Sequence, residues 1–327
     1  MRYLYQDAER FINDVYWSET HDPRSHLSIA DTVASKLLAD HNEHDPDYYN
    51  QKNGVIHASS VYGCVRGLIY EAIGYEATKP TDARQLGIFK AGNLFEDFII
   101  DSLGEKVLER QREYSMQYKS LTIVGRSDYR VDDEGVMRIG ENKSVHSDSF
   151  WYRKNEGTLV AWQNQIQLQI YMWMERELFG NQWEGIFSYI SKDDCTVSSA
   201  PVKYNPRIIE EVVKPILDMV NEAYVRTVEL TKQRRELIAA GLSAEEIETK
   251  IRDIVNEVAP SPALAAYSSQ RSQYQVNWLA KYCGHHDHCA GKGWVLEAQD
   301  EVRRLNLEAK KGAPGAMASA VRAVKGE

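Results

Sequence analysis

The sequence has few cysteines, no long apolar run and no excess of positive charge. Four cysteines in 327 residues are too few for a disulfide framework, so we expect a reducing, cytoplasmic environment. No segment reaches transmembrane length, and the start, MRYLYQDAERF, carries charges where a signal peptide would need apolar residues. The net charge of −9 argues against a protein that coats nucleic acid non-specifically. It leaves room for contacts that are confined to one cleft.

The composition is that of a globular protein with a hydrophobic core: 43% of residues are hydrophobic and 10% are aromatic. We divide the chain into four regions. A polar helical region (1–57) precedes a core of alternating strands and helices (58–205), a charged helical hairpin (206–260) and a C-terminal region with a Cys/His cluster and a basic tail (261–327). The hairpin is expected to bend at Gly241-Leu242-Ser243.

Strand-like and helix-like patterns alternate within the core and predict an α/β fold. The predicted strands are Leu108–Tyr118, Leu121–Val131, Val136–Val145, Trp183–Ser191 and Thr196–Tyr204, and the first three form an antiparallel meander. The segment from Thr158 to Phe179 is ambiguous, because polar and apolar residues alternate strictly from Gln165 to Ile170. Its length and its richness in Gln, Leu, Met and Glu favour a helix.

The stretch GRSDYRVDDEGVMRIGENKSV, residues 125–145, holds two short strand-like runs joined by a turn. With Glu134-Gly135 at the tip of a hairpin, Asp128 lies opposite Glu141, and Lys143 shares a face with Glu141. A shift of the loop by one residue would send one carboxylate to the other face.

Two neighbouring carboxylates repel each other unless a proton or a cation lies between them. Ligand sets made only of oxygen favour Mg²⁺ or Mn²⁺ over Zn²⁺. Lys143 beside such an ion would orient a water molecule or offset charge on a phosphate. The alternative is an ordinary solvated hairpin with an ion pair on its outer face.

Two further motifs flank this hairpin in the chain. Gly92 and Glu96 lie four residues apart on a predicted helix from Gly87 to Gly104, where a glycine would let the helix approach the sheet closely. Gln167 and Tyr171 share a face of the later helix.

In this order, the segments Gly92–Glu96, Gly125–Asp128, Glu141–Lys143 and Gln167–Tyr171 resemble the motifs of the PD-(D/E)XK nuclease superfamily. Within it, the chain is most similar to the RecB-like exonucleases associated with CRISPR loci, phages and recombination. The resemblance covers residues 58–205 and the C-terminal cysteine cluster. It implies a restriction-endonuclease-like core, with a mixed central sheet flanked by helices, in a protein of a prokaryotic or phage-infected cell.

The resemblance further implies a metal-dependent nuclease that acts on DNA, more an exonuclease than a site-specific endonuclease. The expected ligands of one or two Mg²⁺ or Mn²⁺ ions are Glu96, Asp128, Glu141 and the backbone carbonyl of Asn142. Many relatives have histidine where Glu96 stands. Lys143 would position a water molecule, and Gln167 and Tyr171 would hold the DNA backbone or Lys143. The alternative is an inactive nuclease-fold subunit that binds nucleic acid or scaffolds a recombination or CRISPR-like complex.

The cysteines suggest a second metal site. Cys64 lies in a helix expected to begin at Ser59 or Ser60, and Cys283 and Cys289 lie in NWLAKYCGHHDHC. Iron–sulfur members of the family have a fourth cysteine where Ala280 stands. Three alternatives remain open at this point. They are a 4Fe-4S cluster completed by His286 or an exogenous ligand, structural Zn²⁺ held with one of the nearby histidines, and simple packing of the cysteines. Either metal would join residue 64 to the C-terminal region.

Overall fold

A computed structural model of the protein describes residues 29–43, 53–75, 82–155, 161–259, 265–268, 273–276, 285, 288–289 and 294–310. These residues belong to two units. One contains the first described helix and residues 82–90, and the other contains the remaining described elements. In the described part of the chain, no helix is both long enough and apolar enough to cross a membrane.

The second unit is built on a six-stranded mixed sheet. Its strands are β1 (Val55–His57), β2 (Val107–Tyr118), β3 (Leu121–Asp133), β4 (Val136–Val145), β5 (Glu184–Ser191) and β6 (Val197–Val202). β1 is parallel to β3 and β4 is parallel to β5, whereas the β2–β3, β3–β4 and β5–β6 pairs are antiparallel. A separate antiparallel pair consists of β7 (Ala265–Ser268) and β8 (Gln273–Val276).

Nine helices of six or more residues lie in the described segments. They are α1 (Ile29–Glu43), α2 (Val65–Ala72), α3 (Ala83–Leu103), α4 (Ser147–Asn155), α5 (Trp162–Phe179), α6 (Lys214–Lys232), α7 (Arg234–Ala239), α8 (Ala244–Val258) and α9 (Trp294–Lys310). A helical turn, Pro206–Ile208, and a π-helical segment, Ile209–Val213, lead into α6. The predicted fold class, a mixed sheet flanked by helices with a helical extension, is confirmed.

The predicted meander is confirmed, including its register. The β3–β4 turn places Glu134 and Gly135 at φ 55° and 87°, as a two-residue hairpin turn with two left-handed residues requires. Tyr129 therefore lies opposite Gly140, and Asp133 lies opposite Val136.

The segment with alternating residues is a helix, as its length and composition predicted. Its apolar side chains Ile166, Leu168, Ile170, Met172 and Met174 are all buried. A helix that is enclosed on several sides needs no polar face, so its pattern does not follow the usual helical period. Gly180, at φ 72°, ends α5 in the left-handed conformation.

The region around residue 60 differs from the prediction. The helix expected to begin at Ser59 or Ser60 begins at Val65, and Cys64 occupies its N-cap without a side-chain capping bond. Strand β1 and a 3₁₀ turn, Ala58–Ser60, precede it. β1 has only three residues and pairs in parallel with a strand far along the chain, so no local pattern marks it.

Two hydrophobic clusters hold the sheet. The larger includes α2, α5, α6, α8 and one face of the sheet. The smaller contains Ile100, Tyr129 and Val131, with Leu103 from α3 packed against it. Ile139 of β4 belongs to the larger cluster, whereas its neighbour Gly140 lies beside Tyr129 of the smaller one. Because side chains alternate along a strand, the clusters lie on opposite faces.

The helical extension bends where it was predicted to bend. Gly241 adopts φ 97°, and Ser243 and Glu246 form a capping box that starts α8. The buried side chains Ile247, Ile251 and Val255 follow at four-residue intervals and pack against the core.

Candidate active site

The site lies where one edge of β3 changes partner. β2 pairs with almost the whole of β3 along one edge, so β1 and β4 share the other edge. On that edge β1 pairs with Thr122–Val124 and β4 pairs with Tyr129–Asp133, and neither described ladder includes Gly125–Asp128. A cavity of about 750 Å³ opens here, lined among others by His57, Ser59, Arg126, Asp128, Gln167 and Tyr171.

Asp128 stands at the end of this gap. Its Oδ2 accepts a hydrogen bond from the backbone N–H of Asn142 at 2.6 Å. In a continuous ladder, a backbone carbonyl of β3 would accept this bond instead. Because the N–H and C=O of a strand residue point to the same neighbouring strand, the Asn142 carbonyl also faces the gap. Burial raises the pKa of Asp128 well above its ordinary value, and the carboxylates of Glu141 and Glu96 raise it further.

Glu141 is 2% exposed and sits between a cation and an amide. Its Oε1 accepts hydrogen bonds from Lys143 Nζ at 2.5 Å and from Gln167 Nε2 at 2.9 Å. Its Oε2 is buried and has no hydrogen-bond partner among the described residues. Burial raises the pKa of Glu141, although Lys143 opposes this. One carboxylate oxygen is thus left for a donor or a cation.

Lys143 is held as an ammonium ion. Its Nζ donates to Glu141 and, at 3.3 Å, to Gln167 Oε1. Burial alone would lower the pKa of Lys143, but the neighbouring Glu141 carboxylate outweighs burial and the pKa is raised. Gln167 Nε2 in turn donates to the Tyr171 hydroxyl at 3.0 Å, and burial raises the pKa of Tyr171. The predicted residues of β4 and α5 therefore form one hydrogen-bonded chain.

Glu96 approaches the same site from α3. Its charge raises the pKa of both Asp128 and Glu141, and its Oε1 accepts a hydrogen bond from Gln111 Nε2 at 3.3 Å. In the described segments, however, no three His, Cys, Asp or Glu side chains form a group that could hold a metal ion by themselves. The predicted metal ligands remain a prediction.

Two glycines near the site behave differently. A Cβ on Gly125 would lie 2.5 Å from Tyr171 Cε1 and 3.1 Å from Ala58 Cβ, so only glycine allows α5 this close to β3. The predicted close approach of the helix at Gly92 is wrong, because a Cβ there would meet no described atom within 4 Å.

Sequence patterns did not reveal every residue of the site. His57, Ser59 and Arg126 line the cavity but belong to no motif, and Gln111 contacts Glu96 from β2. The pairing of β1 with β3 brings His57 here. The usable signal was the proximity of Arg126 to Asp128 in the chain.

The cysteine region is only partly described. Arg66 of α2 donates from Nη1 to Cys289 Sγ at 3.4 Å and from Nε to the Ala259 carbonyl at 2.9 Å. Among the described residues, Cys64, Cys195 and Cys289 form no disulfide bond. Cys283 and His286 lie outside the described residues. The segment around residue 289 therefore reaches α2, and the iron–sulfur or zinc site remains a prediction.

Comparison with known proteins gave matches among solved structures only. No family model and no curated protein matches the chain. The crystal structure of SSO0001 matches with 21% identity and a TM-score of 0.40, over 58% of this chain and 86% of that one. An alkaline exonuclease from Laribacter hongkongensis matches with 16% identity and a TM-score of 0.41, over 59% and 100%. A phage-related exonuclease from Haemophilus somnus matches with 13% identity and a TM-score of 0.37, over 56% and 98%.

Proposed function

We propose that this protein is a metal-dependent nuclease that hydrolyses phosphodiester bonds in DNA, acting from strand ends. The observation that carries the proposal is the charge of the site. Three carboxylates, from Glu96, Asp128 and Glu141, meet one ammonium, from Lys143, and a buried oxygen of Glu141 has no partner in the described structure. Because Lys143 neutralises only one of these carboxylates, the excess of negative charge favours binding of a cation.

The donor set suits Mg²⁺ or Mn²⁺. Asp128, Glu141 and the Asn142 carbonyl offer oxygen atoms only, and Mg²⁺ in proteins is commonly held by one or two carboxylates while it keeps several waters. Glu96 would add a further carboxylate oxygen from α3. When bound, the ion lowers the pKa of a water molecule and offsets charge on the scissile phosphate.

The chain's own residues supply the remaining functions. The Lys143 ammonium is fixed by Glu141 and Gln167, so it can hold a water molecule or stabilise charge that develops on a phosphate oxygen. The Tyr171 hydroxyl accepts from Gln167, so its own proton would be the one to donate to the DNA backbone.

The adjoining cavity supports action on strand ends. At about 750 Å³ it has the size of a small-molecule pocket, which accommodates a nucleotide or two rather than the width of a duplex. His57, Ser59 and Arg126 at its wall can donate hydrogen bonds to phosphate oxygens.

The test is cleavage of end-labelled single- and double-stranded DNA by the purified full chain with Mn²⁺ or Mg²⁺, followed by addition of chelator. We expect metal-dependent release of short products. Lys143→Ala and Asp128→Ala should each lower the rate at least about 1,000-fold, while circular dichroism shows an intact fold. Lys203→Ala and Asp253→Ala, which change exposed side chains, are the matched controls.

Two results would contradict the proposal. Undiminished cleavage by either site variant would remove these residues from catalysis. DNA binding without cleavage under every metal condition would favour the alternative, an inactive nuclease-fold subunit that binds nucleic acid or scaffolds a complex. Parallel labelled RNA substrates separate deoxyribonuclease from ribonuclease activity. Action within a recombination or CRISPR-like complex remains a prediction.

A further inference from the structure

The β2–β3 hairpin breaks the alternation of faces that a regular strand obeys. A Cβ on Gly125 would point into Tyr171 of α5, and Arg130 donates to Glu175 of α5 at 2.6 Å. These two β3 residues are five positions apart. In an uninterrupted strand, residues separated by an odd number face opposite sides. Both face α5, so the alternation is reset between them.

The alternation of side-chain faces in β2 is reset over the interval that pairs with Gly125–Arg130. The ring of Tyr114 stacks on Tyr171, with centroids 5.7 Å apart and planes 16° apart, and Glu109 accepts from Arg130 at 2.7 Å. Tyr114 and Glu109 are again five positions apart. They pair across the strands with Gly125 and Arg130, so both strands shift face together without losing register.

The reset is located at one residue pair. The ladder contains Arg110–Tyr129 and Arg112–Ser127, and the pair that would lie between them joins Gln111 to Asp128. That pair does not form in the described ladder. Gln111 has φ 51°, a left-handed conformation that is strained for a residue with a Cβ. Strain of this kind persists where the surrounding structure enforces it, and it is concentrated at functional sites.

The reset places the Asp128 carboxylate on the same face of β3 as the contact between Gly125 and Tyr171. Asp128 is three residues from Gly125, so in a regular strand it would face away from α5. Glu141 meets Gln167 of α5 and therefore lies on the α5 face. With the reset, Asp128 falls on this same face, beside Glu141.

The side chain of Gln111 adds a second contact, because its Nε2 donates to Glu96 Oε1 at 3.3 Å. We propose that Gln111 is a positioning residue of the site: its left-handed backbone lets Asp128 share the α5 face with the Gly125–Tyr171 contact, and its amide orients Glu96. The metal-related part of this inference rests on the proposed function, whereas the placement of Asp128 does not.

Three variants separate backbone from side chain. Gln111→Gly keeps the left-handed conformation and removes the amide. Gln111→Val removes both, because a β-branched residue disfavours positive φ. Glu134→Val is the matched control. Glu134 is another exposed residue near φ 55°, but it lies in the β3–β4 turn, six residues after Asp128 in the chain.

Two measurements report on the site in the full chain. The first is the NMR signal and hydrogen exchange of the Asn142 amide, which donates to Asp128 and needs no metal. The second is Mn²⁺ affinity by calorimetric titration. We expect Gln111→Val to expose the Asn142 amide to exchange and to weaken Mn²⁺ binding about 100-fold, and Gln111→Gly to preserve the amide signal and weaken binding about 10-fold.

We expect Glu134→Val to lower the melting temperature as much as Gln111→Val while leaving both signals unchanged. An unchanged Asn142 amide in Gln111→Val would overturn the inference, whether or not the wild type cleaves DNA. Equal Mn²⁺ affinity of wild type and Gln111→Gly would overturn the role of the amide alone. If the wild type neither binds Mn²⁺ nor cleaves DNA, the proposed function fails and the amide measurement still decides the placement of Asp128. If Gln111→Val does not fold, a second pair of variants replaces it. Asparagine tolerates positive φ better than alanine, so Gln111→Asn must keep the Asn142 amide signal and Gln111→Ala must weaken it.

Discussion

Two charged clusters lie along β3, and they differ in charge balance. The Arg130 cluster contains two acids and two cations: Glu109, Glu175, Arg112 and Arg130. The Asp128 cluster contains three acids and one cation: Glu96, Asp128, Glu141 and Lys143. The first cluster neutralises its own charge, whereas the second leaves negative charge uncompensated.

The pKa values follow this difference. The hydrogen bond from Arg130 lowers the pKa of Glu109, whereas burial raises the pKa of both Asp128 and Glu141. A buried acid with its own counter-ion can contribute to the structure without any ligand. The one ammonium of the Asp128 cluster pairs with Glu141, so the buried charge of Asp128 destabilises the protein until a proton or a metal arrives. The contrast supports the proposal that the Asp128 cluster, and not the Arg130 cluster, binds a cation.

The largest expected effect on stability comes from breaking the balanced cluster. Glu175 is fully buried, and Arg130 donates to it at 2.6 Å. Arg130→Met would leave the Glu175 charge without its main partner, so we expect the free energy of unfolding to fall by about 3–5 kcal/mol. Urea denaturation measures this change. The cleavage rate per folded molecule should change little.

The matched controls are a surface pair and a double variant. Arg226→Met breaks the exposed pair with Glu257 and should barely move the urea midpoint. Arg130→Met combined with Glu175→Met removes both charges and should recover most of the loss. If the single and double variants are equally unstable, packing and not charge holds this cluster.

The sequence predicted the fold well where the signal was local. The turn at Glu134-Gly135 set the register of β3 and β4, because two consecutive left-handed residues suit a two-residue hairpin. The length and composition of α5 outweighed its alternating pattern. β1 could not be predicted, since a three-residue strand becomes visible only through its distant partner.

The sequence predicted several residues of the candidate site but not how the fold brings them together. The relation between Asp128 and Glu141 follows from the β3–β4 hairpin alone. That Gly125 and Asp128 share a face of β3 cannot be predicted in this way. They are three residues apart, and strand residues three apart normally face opposite sides unless the alternation is reset, as it is at Gln111. No sequence rule predicts a left-handed glutamine within a strand.

A smaller effect comes from changing the spacing between α5 and the Asp128 cluster. A Cβ added by Gly125→Ala would lie 2.5 Å from the Tyr171 ring, which is buried and cannot move freely. We expect a loss of about 1–3 kcal/mol in the free energy of unfolding, together with slower cleavage because Tyr171 and Gln167 are displaced. Chemical denaturation and DNA cleavage measure the two effects.

Gly92→Ala is the control for this prediction. Gly92 lies within α3, and a Cβ there meets no described atom within 4 Å. Alanine favours a helix interior over glycine by about 0.5–1 kcal/mol, so this variant should be slightly more stable than the wild type. A loss of stability at Gly92 equal to that at Gly125 would show that close packing is not what distinguishes the two positions.

The smallest expected effect is a gain in stability when charge is removed from the unbalanced cluster. Asp128→Asn keeps an oxygen that can accept from the Asn142 amide and removes one buried negative charge. In metal-free protein at pH 7.5, we expect the free energy of unfolding to rise by on the order of 1 kcal/mol. Thermal unfolding in the presence of chelator measures this gain.

The pH dependence of that gain has a definite sign. The folded-state pKa of Asp128 is raised, so the folded protein binds a proton more tightly than the unfolded chain does. The stabilisation that this proton provides is complete below the unfolded pKa of about 3.9 and is lost as pH rises through the folded pKa. The advantage of Asp128→Asn should therefore vanish near pH 4 and be largest above neutrality.

With Mn²⁺ the order of the two stabilities should reverse, because a bound ion stabilises the wild type and not the variant. If Asp128→Asn is no more stable than the wild type at pH 7.5 without metal, the charge of Asp128 is already compensated, as the charges of the Arg130 cluster are.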